Sequence, residues 1–130
     1  MTGLDTSVIV RLLVGEPLDQ ATKANELLDE LFLRGEHACV SDIVISEVYF
    51  ALQYHYNVPK KEALKSIRNM LDSGDVVSTG VAQEVLQIQN LASAKPGFVD
   101  RLILADYCRD SHSMATFEKN SHKLEGVQVL

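Results

Sequence analysis

The sequence lacks tryptophan and has only two cysteines, Cys39 and Cys108, among its 130 residues. Two cysteines cannot build a disulfide-dense scaffold, and their spacing does not match a zinc site. Each lies among apolar neighbours near the end of a predicted element. We therefore expect both to be buried, reduced thiols with a packing role.

Long apolar runs are also missing. No stretch approaches the roughly 18 residues that a membrane-spanning helix needs, and Met1 leads into a mixed segment that does not resemble a signal peptide. With 46% apolar residues the chain can build one core. The sequence predicts a soluble, cytoplasmic protein with a single domain over residues 1–130 and no membrane partner.

Basic side chains are scarce, since 12 Lys and Arg stand against 18 Asp and Glu, for a formal charge of −6. A protein of this charge binds nucleic acid only with the help of bound cations or a local basic patch, and it also suits a basic peptide partner. The sequence contains no nucleophilic Gly-x-Ser-x-Gly motif, phosphate-binding loop or dinucleotide fingerprint. The four histidines have no metal-ligand spacing, so they receive no role.

Short apolar stretches alternate with helical periodicity along the chain. Strands are predicted at residues 3–4, 37–40, 75–77, 113–116 and 127–130, and helices at about 8–13, 21–32, 43–52, 60–71, 81–94 and 98–109. Strands separated by helices form an α/β fold with a mostly parallel sheet. Functional sites in such sheets gather at the carboxyl ends of the strands.

Four acidic residues are predicted to lie at that edge. Asp5 follows the first strand, Glu47 lies about two turns into the helix after the second, Asp100 lies in the first turn of the helix at 98–109, and Glu118 follows the strand that ends at Thr116. Clustered carboxylates raise one another's pKa values unless a cation offsets their charge. Hard oxygen ligands favour Mg²⁺ or Mn²⁺, and a magnesium-bound water suits phosphodiester hydrolysis.

Each acid also has a purely structural interpretation. Asp5 can cap the first helix, Asp100 can stabilise a helix N-terminus, and Glu118 can be a turn residue. Glu47 is harder to explain in this way, because its segment is mostly apolar and an unpaired carboxylate there is expected to be costly. Both interpretations stay open at this point.

Four segments resemble motifs of PIN-domain nucleases, in particular the ribonuclease toxins of virulence-associated (VapBC-type) toxin–antitoxin pairs. These segments are residues 3–13 with Gly15-Glu16-Pro17, then 45–48, 98–103 and 115–119. The resemblance covers essentially the whole chain. It implies a PIN-like three-layer sandwich with a five-stranded, mostly parallel sheet, and cleavage of RNA that depends on Mg²⁺ or Mn²⁺. It also implies a homodimer neutralised by an antitoxin with a basic or aromatic tail.

The resemblance assigns Asp5, Glu47, Asp100 and Glu118 as catalytic metal ligands. Glu118 departs from the family, which usually has aspartate there, so it is expected to bind through water, reach a second ion or take no part. Thr6 and Ser7 match hydroxyl positions near the family's site, although helix capping also explains them.

Arg11 and Arg101 are candidates for binding the substrate phosphate or for internal ion pairs. Tyr54 and Tyr56 suit either base stacking or packing. One alternative function is a catalytically weak or inactive PIN-fold module that binds RNA or protein. Another is a phosphoryl-transfer or response-regulator-like protein, which Glu47 inside a helix fits poorly.

Overall fold

The computed structural model describes residues 1–130, which divide into two units, Met1–Thr79 and Gly80–Leu130. The first unit contains β1 (Thr2–Gly3), α1 (Thr6–Val14), α2 (Leu18–Leu33), β2 (Ala38–Val40), α3 (Asp42–Tyr54), α4 (Lys60–Ser73) and β3 (Val76–Ser78). The second contains α5 (Ala82–Leu86), α6 (Phe98–Arg109), β4 (Met114–Thr116) and β5 (Val127–Val129), with short 3₁₀ helices at Leu91–Ser93 and Lys119–Lys123. The single domain expected over residues 1–130 stays a prediction.

The first unit is built on a parallel sheet in the order β1-β2-β3. Thr2 aligns with Ala38, and Ala38 aligns with Val76. Ala38, Val40 and Val76 are each about 1% exposed, as expected for strands that helical connections cover. The chain turns into a helix just past the ends of β1 and β2, which brings α1 and α3 to the same edge of the sheet.

Local signals fix the ends of these helices. The Asp5 carboxylate accepts a hydrogen bond from the backbone N–H of Val8 and so caps α1, and the Ser41 hydroxyl accepts one from Val44 and caps α3. Gly15 and Gly74 end α1 and α4 in the left-handed conformation, with φ of 81° and 84°. Glycine is favoured there because it has no Cβ to clash with the backbone.

The core of the first unit consists of aliphatic side chains from every one of its helices. The fully buried ones include Ile9, Leu31, Ile45, Val48 and Ile67. On α4, Ala63, Leu64, Ile67 and Leu71 face inward, as their spacing predicts. Two apolar residues of these helices, Ile43 and Phe32, are 72% and 79% exposed. They lie at the edges of their apolar stripes, where periodicity distinguishes the two faces poorly.

The helix expected over residues 81–94 is wrong in its length. Helix α5 ends at Leu86, and a separate 3₁₀ turn occupies Leu91–Ser93. Asn90 adopts the left-handed conformation, with φ of 56° and ψ of 33°, which asparagine tolerates better than most residues and which cannot continue an α-helix. In this segment Leu91 is buried, whereas Ile88 is 37% exposed.

In the second unit, β4 and β5 form a separate parallel pair, in which Met114 aligns with Val127 and Thr116 with Val129. The α/β class and the parallel pairing are therefore confirmed. Hydrogen bonding groups the five strands as three and two, whereas a single five-stranded sheet was expected. Each of the five strands has only two or three residues, so every ladder is short.

The cysteine prediction is wrong for Cys108, which is an exposed free thiol, while Cys39 is partly buried in β2. Cys108 lies one residue from the end of α6, a position where an apolar neighbourhood in sequence does not ensure burial. None of the helices is both long enough and apolar enough to span a membrane.

Gly74→Ala tests the turn between α4 and β3. The left-handed φ of 84° at Gly74 makes a side chain there strained, so we expect the substitution to lower the free energy of unfolding by about 1 kcal/mol. Gly3→Ala is the control, because no atom lies within 4 Å of a Cβ at Gly3 and its φ is not left-handed. Equal urea denaturation midpoints for the two variants would contradict this account of the turn.

Candidate active site at the carboxyl ends of the strands

Asp5 lies two residues past the end of β1, with an exposed side chain held in one orientation. Its Oδ1 accepts a hydrogen bond of 2.6 Å from the Ser7 hydroxyl and one of 3.2 Å from the Val8 backbone N–H. The backbone N–H of Ser7 adds a weaker hydrogen bond to this carboxylate. Asp5 is therefore the helix cap that the structural interpretation predicts, and its side chain is still exposed to solvent.

These hydrogen bonds lower the pKa of Asp5. The bond from the Ser7 hydroxyl is the largest cause, followed by the one from the Val8 backbone. Both donate to the ionised form and so stabilise it. The carboxylate is thus charged at neutral pH, which is the state that binds a cation.

Glu47 lies in the second turn of α3 and is tied to α1 by a single contact. The Thr6 hydroxyl donates a hydrogen bond of 2.9 Å to Glu47 Oε2, across 41 positions of the sequence. Since Thr6 directly follows Asp5, this bond places the Glu47 carboxylate beside the Asp5–Thr6 backbone. The structure therefore ties Glu47 to the residue that follows Asp5, through a hydroxyl that the sequence also explained as a cap.

The expectation that Glu47 lies in an apolar environment is wrong. Its side chain is exposed, on the same face of α3 as Ile43, Phe50 and Tyr54. Phe50 and Tyr54 stack with their ring centroids 6.2 Å apart, and Tyr54 is 75% exposed. Some of the apolar residues near Glu47 in the sequence lie on an exposed face of α3. The Glu47 carboxylate is itself exposed, so it carries no burial cost that a partner would have to offset.

Arg11 forms no ion pair, contrary to one of its two expected roles. Its Nε donates to Gln20 Oε1 at 2.6 Å, and its Nη1 donates to the Tyr56 hydroxyl at 3.3 Å. Both partners are neutral, so the guanidinium is oriented while its charge stays uncompensated. The sequence did not single out Gln20, and it offered Tyr56 for stacking or packing and not as a partner of Arg11, because no periodicity links residues 9 and 45 positions away from Arg11.

Asp100 and Arg101 lie in the first turn of α6, in the second unit. Asp100 is exposed and has no hydrogen-bond or ion-pair partner, and its position at a helix N-terminus is electrostatically favourable on its own. Arg101 Nε donates to the backbone carbonyl of Pro96 at 2.7 Å. Arg101 is thus hydrogen-bonded to the segment that precedes α6. This contact with the backbone is structural and is not an ion pair.

Glu118 caps the 3₁₀ helix at Lys119–Lys123. Its Oε1 accepts hydrogen bonds from the backbone N–H of Asn120 at 3.0 Å and from Asn120 Nδ2 at 2.9 Å. The pKa of Glu118 is lowered by these two bonds, with a smaller contribution from the charge of Lys95. Glu118 is therefore a turn residue in the structure, which is one of the interpretations that the sequence allowed.

No group of three or more His, Cys, Asp and Glu side chains in the structure could hold a metal ion. In the first unit the Ser7 hydroxyl donates a hydrogen bond to Asp5 and the Thr6 hydroxyl donates one to Glu47; these two acids are called the Asp5–Glu47 pair below. Two anionic oxygen ligands with a hydroxyl between them can contribute to the coordination of a hard divalent cation. Asp100 and Glu118 belong to the second unit.

Ser7→Ala tests the cause of the Asp5 pKa shift. Loss of the Ser7 hydroxyl should raise the pKa of Asp5 toward its usual value of about 3.9, measured by NMR titration of the carboxyl carbons. Because the pKa of Asp5 is depressed in the folded state, the stability that it contributes is present above the unfolded-state pKa and lost as the pH falls through the folded-state pKa. The variant should therefore lose stability at neutral pH relative to the parent protein, and this difference should disappear in acid.

Ser46→Ala is the control for that titration, since the Ser46 hydroxyl donates to the backbone carbonyl of Ile43 and does not touch Asp5. An unchanged Asp5 pKa in Ser7→Ala would contradict the assignment.

The family comparison covers most of the chain. A search of curated proteins finds no relative, whereas the family model of the PIN domain matches residues 4–107. The matched range contains Asp5, Glu47 and Asp100 and ends before Glu118. PIN domains are generally nucleases, and PIN nucleases generally use divalent metals. The chain belongs to the PIN-domain family.

Proposed function

We propose that this protein is a metal-dependent endoribonuclease in which Asp5, Glu47 and Asp100 hold Mg²⁺ or Mn²⁺. The observation that carries the proposal is the hydrogen bond to Glu47 from Thr6, the residue next to Asp5, past the carboxyl ends of β1 and β2, in a chain of the PIN family. Asp100 is included because its motif lies within the matched residues and because its carboxylate has no other partner.

The ligand chemistry of the first unit fits a hard cation. Neither Asp5 nor Glu47 is in an ion pair, both are exposed, and the side-chain groups next to them are the hydroxyls of Ser7 and Thr6. Oxygen ligands of this kind prefer Mg²⁺ or Mn²⁺ to softer metals. When bound, the ion would supply an activated water and neutralise charge on the phosphate.

The neighbouring residues then act mainly by orienting the carboxylates that would hold the ion. Ser7 and the backbone of Val8 fix the Asp5 carboxylate, and Thr6 fixes Glu47, so little ordering remains when a ligand binds. Both acids are exposed, which leaves them accessible to an RNA phosphate. Thr6 and Ser7 are thus proposed to position the acids, and Arg11 and Arg101 to contribute positive charge near the phosphate.

Glu118 is proposed as an ancillary ligand, through its second oxygen or toward a second ion. One oxygen is already used in capping, and the residue lies outside the matched range. Its loss should therefore matter less than the loss of Asp5, Glu47 or Asp100.

We further propose that the protein acts in the cytoplasm as the toxin of a toxin–antitoxin pair. The resemblance of residues 3–17 to the openings of PIN toxins supports this role, and the charge of −6 suits an antitoxin with a basic tail. The exposed apolar side chains of Ile43, Phe50 and Tyr54 on α3 support a homodimer.

A binding module that holds RNA or protein without cutting is the second candidate. The observation in its favour is Glu118, where the fourth acid is altered and serves as a cap. The two functions differ in whether RNA is cleaved.

Cleavage of a structured RNA in Mg²⁺ or Mn²⁺ tests the proposed function. EDTA should abolish cleavage, and Asp5→Asn, Glu47→Gln and Asp100→Asn should each lower kcat/KM by about 100-fold or more, since each removes a charged ligand. Glu118→Gln should cost less than about tenfold. Product sizes on gels and single-turnover rates provide the measurement.

Two matched carboxylates serve as controls. Asp29→Asn on α2 and Glu62→Gln on α4 remove exposed charges of the same chemistry away from the Asp5–Glu47 pair, and we expect rates within about twofold of the parent protein. Cleavage that survives both EDTA and Asp5→Asn would contradict the proposal. RNA binding without cleavage would favour the second candidate.

A further inference from the structure

A groove of about 270 Å³ lies between α1 and α2, and its lining includes Ser7, two residues after Asp5. Ser7 lines its near end, and the Ser7 hydroxyl is the group that donates to Asp5 Oδ1. Arg11 lines the groove one helical turn further along α1, about 6 Å from Ser7 at the usual helical rise. The groove is therefore connected to the candidate active site through Ser7 and leads away from it.

The charges that line this groove have one sign. Arg11 and Lys23 contribute two positive charges, and no carboxylate is among the lining residues. Neither cation takes part in an ion pair. In a chain of formal charge −6, a groove with two unpaired cations is a local positive site, which attracts an anion and repels a basic peptide.

Two hydrogen bonds orient the Arg11 guanidinium in this groove. Gln20 Oε1 and the Tyr56 hydroxyl accept hydrogen bonds from its Nε and Nη1, which leaves Nη2 without a partner. A planar, oriented guanidinium with free donors suits a phosphate group, because the side chain is already ordered before the ligand binds. Lys23, on the same groove, adds a flexible exposed cation.

The rest of the groove is apolar. Val8 and Leu27 are partly buried and Ala24 is buried, so they form a lining without charge. A ligand that presents phosphates to one side and flat apolar groups to the other matches this combination. A single RNA strand has both, in its phosphodiester backbone and in the faces of its ribose and base groups.

We propose that the groove between α1 and α2 binds the RNA strand that flanks the scissile phosphate, with Arg11 and Lys23 holding backbone phosphates against the Val8 and Leu27 surface. This inference rests on the proposed ribonuclease function, and it adds a substrate subsite that includes Lys23 and Gln20. It makes Arg11 a binding residue for the strand, not a partner of the acids.

Binding of a fluorescein-labelled oligouridylate, followed by fluorescence anisotropy in EDTA, tests the subsite. EDTA stops the proposed cleavage and removes any metal ion from the protein. The measured affinity then reports the contribution of the basic side chains to RNA binding. The double variant Arg11→Gln with Lys23→Gln should weaken binding by about tenfold. The slope of log affinity against log salt should fall by about 0.7 for each phosphate that the protein no longer neutralises, or about 1.4 in the double variant.

The matched control is Arg34→Gln with Lys60→Gln, which changes the net charge equally. Arg34 is an exposed partner of Glu36 and Lys60 is an exposed residue at the start of α4; neither lines the groove. The RNA affinity of this control variant and the salt slope of its affinity should match those of the parent protein. Lys23→Gln alone, at an exposed position that does not threaten folding, should show about half of the slope change.

Three results would overturn the subsite: no binding by the parent protein, equal weakening in the double variant and its control, or equal binding of a polyglutamate peptide, which would assign the groove to an acidic protein segment. A failure of the subsite can be distinguished from a failure of the proposed ribonuclease function. Asp5→Asn should lose cleavage while keeping its affinity in EDTA, whereas the double variant should keep metal-dependent cleavage with a higher KM.

Discussion

The hydrogen bond from the Thr6 hydroxyl to Glu47 Oε2 is the contact on which the candidate active site depends. It joins the first turn of α1 to the second turn of α3 over 2.9 Å, and it is the only hydrogen bond that ties the Glu47 side chain to the rest of the protein. Without it, an exposed glutamate on a helix would sample several rotamers, and ordering them again on binding would cost free energy. With it, the Glu47 carboxylate is held beside the first turn of α1, the helix that Asp5 caps.

That contact in turn depends on how α1 begins. Asp5 caps the helix through Oδ1, and this cap fixes where the next residue, Thr6, presents its hydroxyl. The same carboxylate therefore starts the helix and offers its second oxygen to a ligand. Capping and metal binding, which are competing explanations in the sequence, are compatible because the carboxylate has two oxygens.

The first unit also separates its charges along α1. An exposed pair of acids lies at the start of the helix, and the unpaired guanidinium of Arg11 lies one turn further along, beside Lys23. A divalent cation would turn the acidic end into a site for a phosphate, while the cations of the groove attract phosphates directly. This arrangement explains how an acidic chain could hold RNA at one place without a broadly basic surface.

The fold could be predicted where periodicity is strong, as for α4, whose inward face follows from spacing alone. It could not be predicted where one residue breaks a pattern, as Asn90 does by adopting a left-handed conformation that composition does not reveal. For the site, Asp5 and Glu47 follow from their places after β1 and β2. The exposure of Glu47 could not be predicted, because Ile43, Phe50 and Tyr54 look like core residues in the sequence. The contacts of Arg11 with Gln20 and Tyr56 depend on tertiary packing alone.

The most direct measurement of the central claim is a calorimetric titration of the protein with Mn²⁺. We expect binding that Glu47→Gln or Asp5→Asn abolishes, and that Thr6→Val, which removes one hydroxyl and keeps the side-chain shape, weakens by about tenfold. Mn²⁺ binding that is unchanged in all three variants, or absent from the parent protein, would contradict the claim that these carboxylates are positioned to hold a divalent cation.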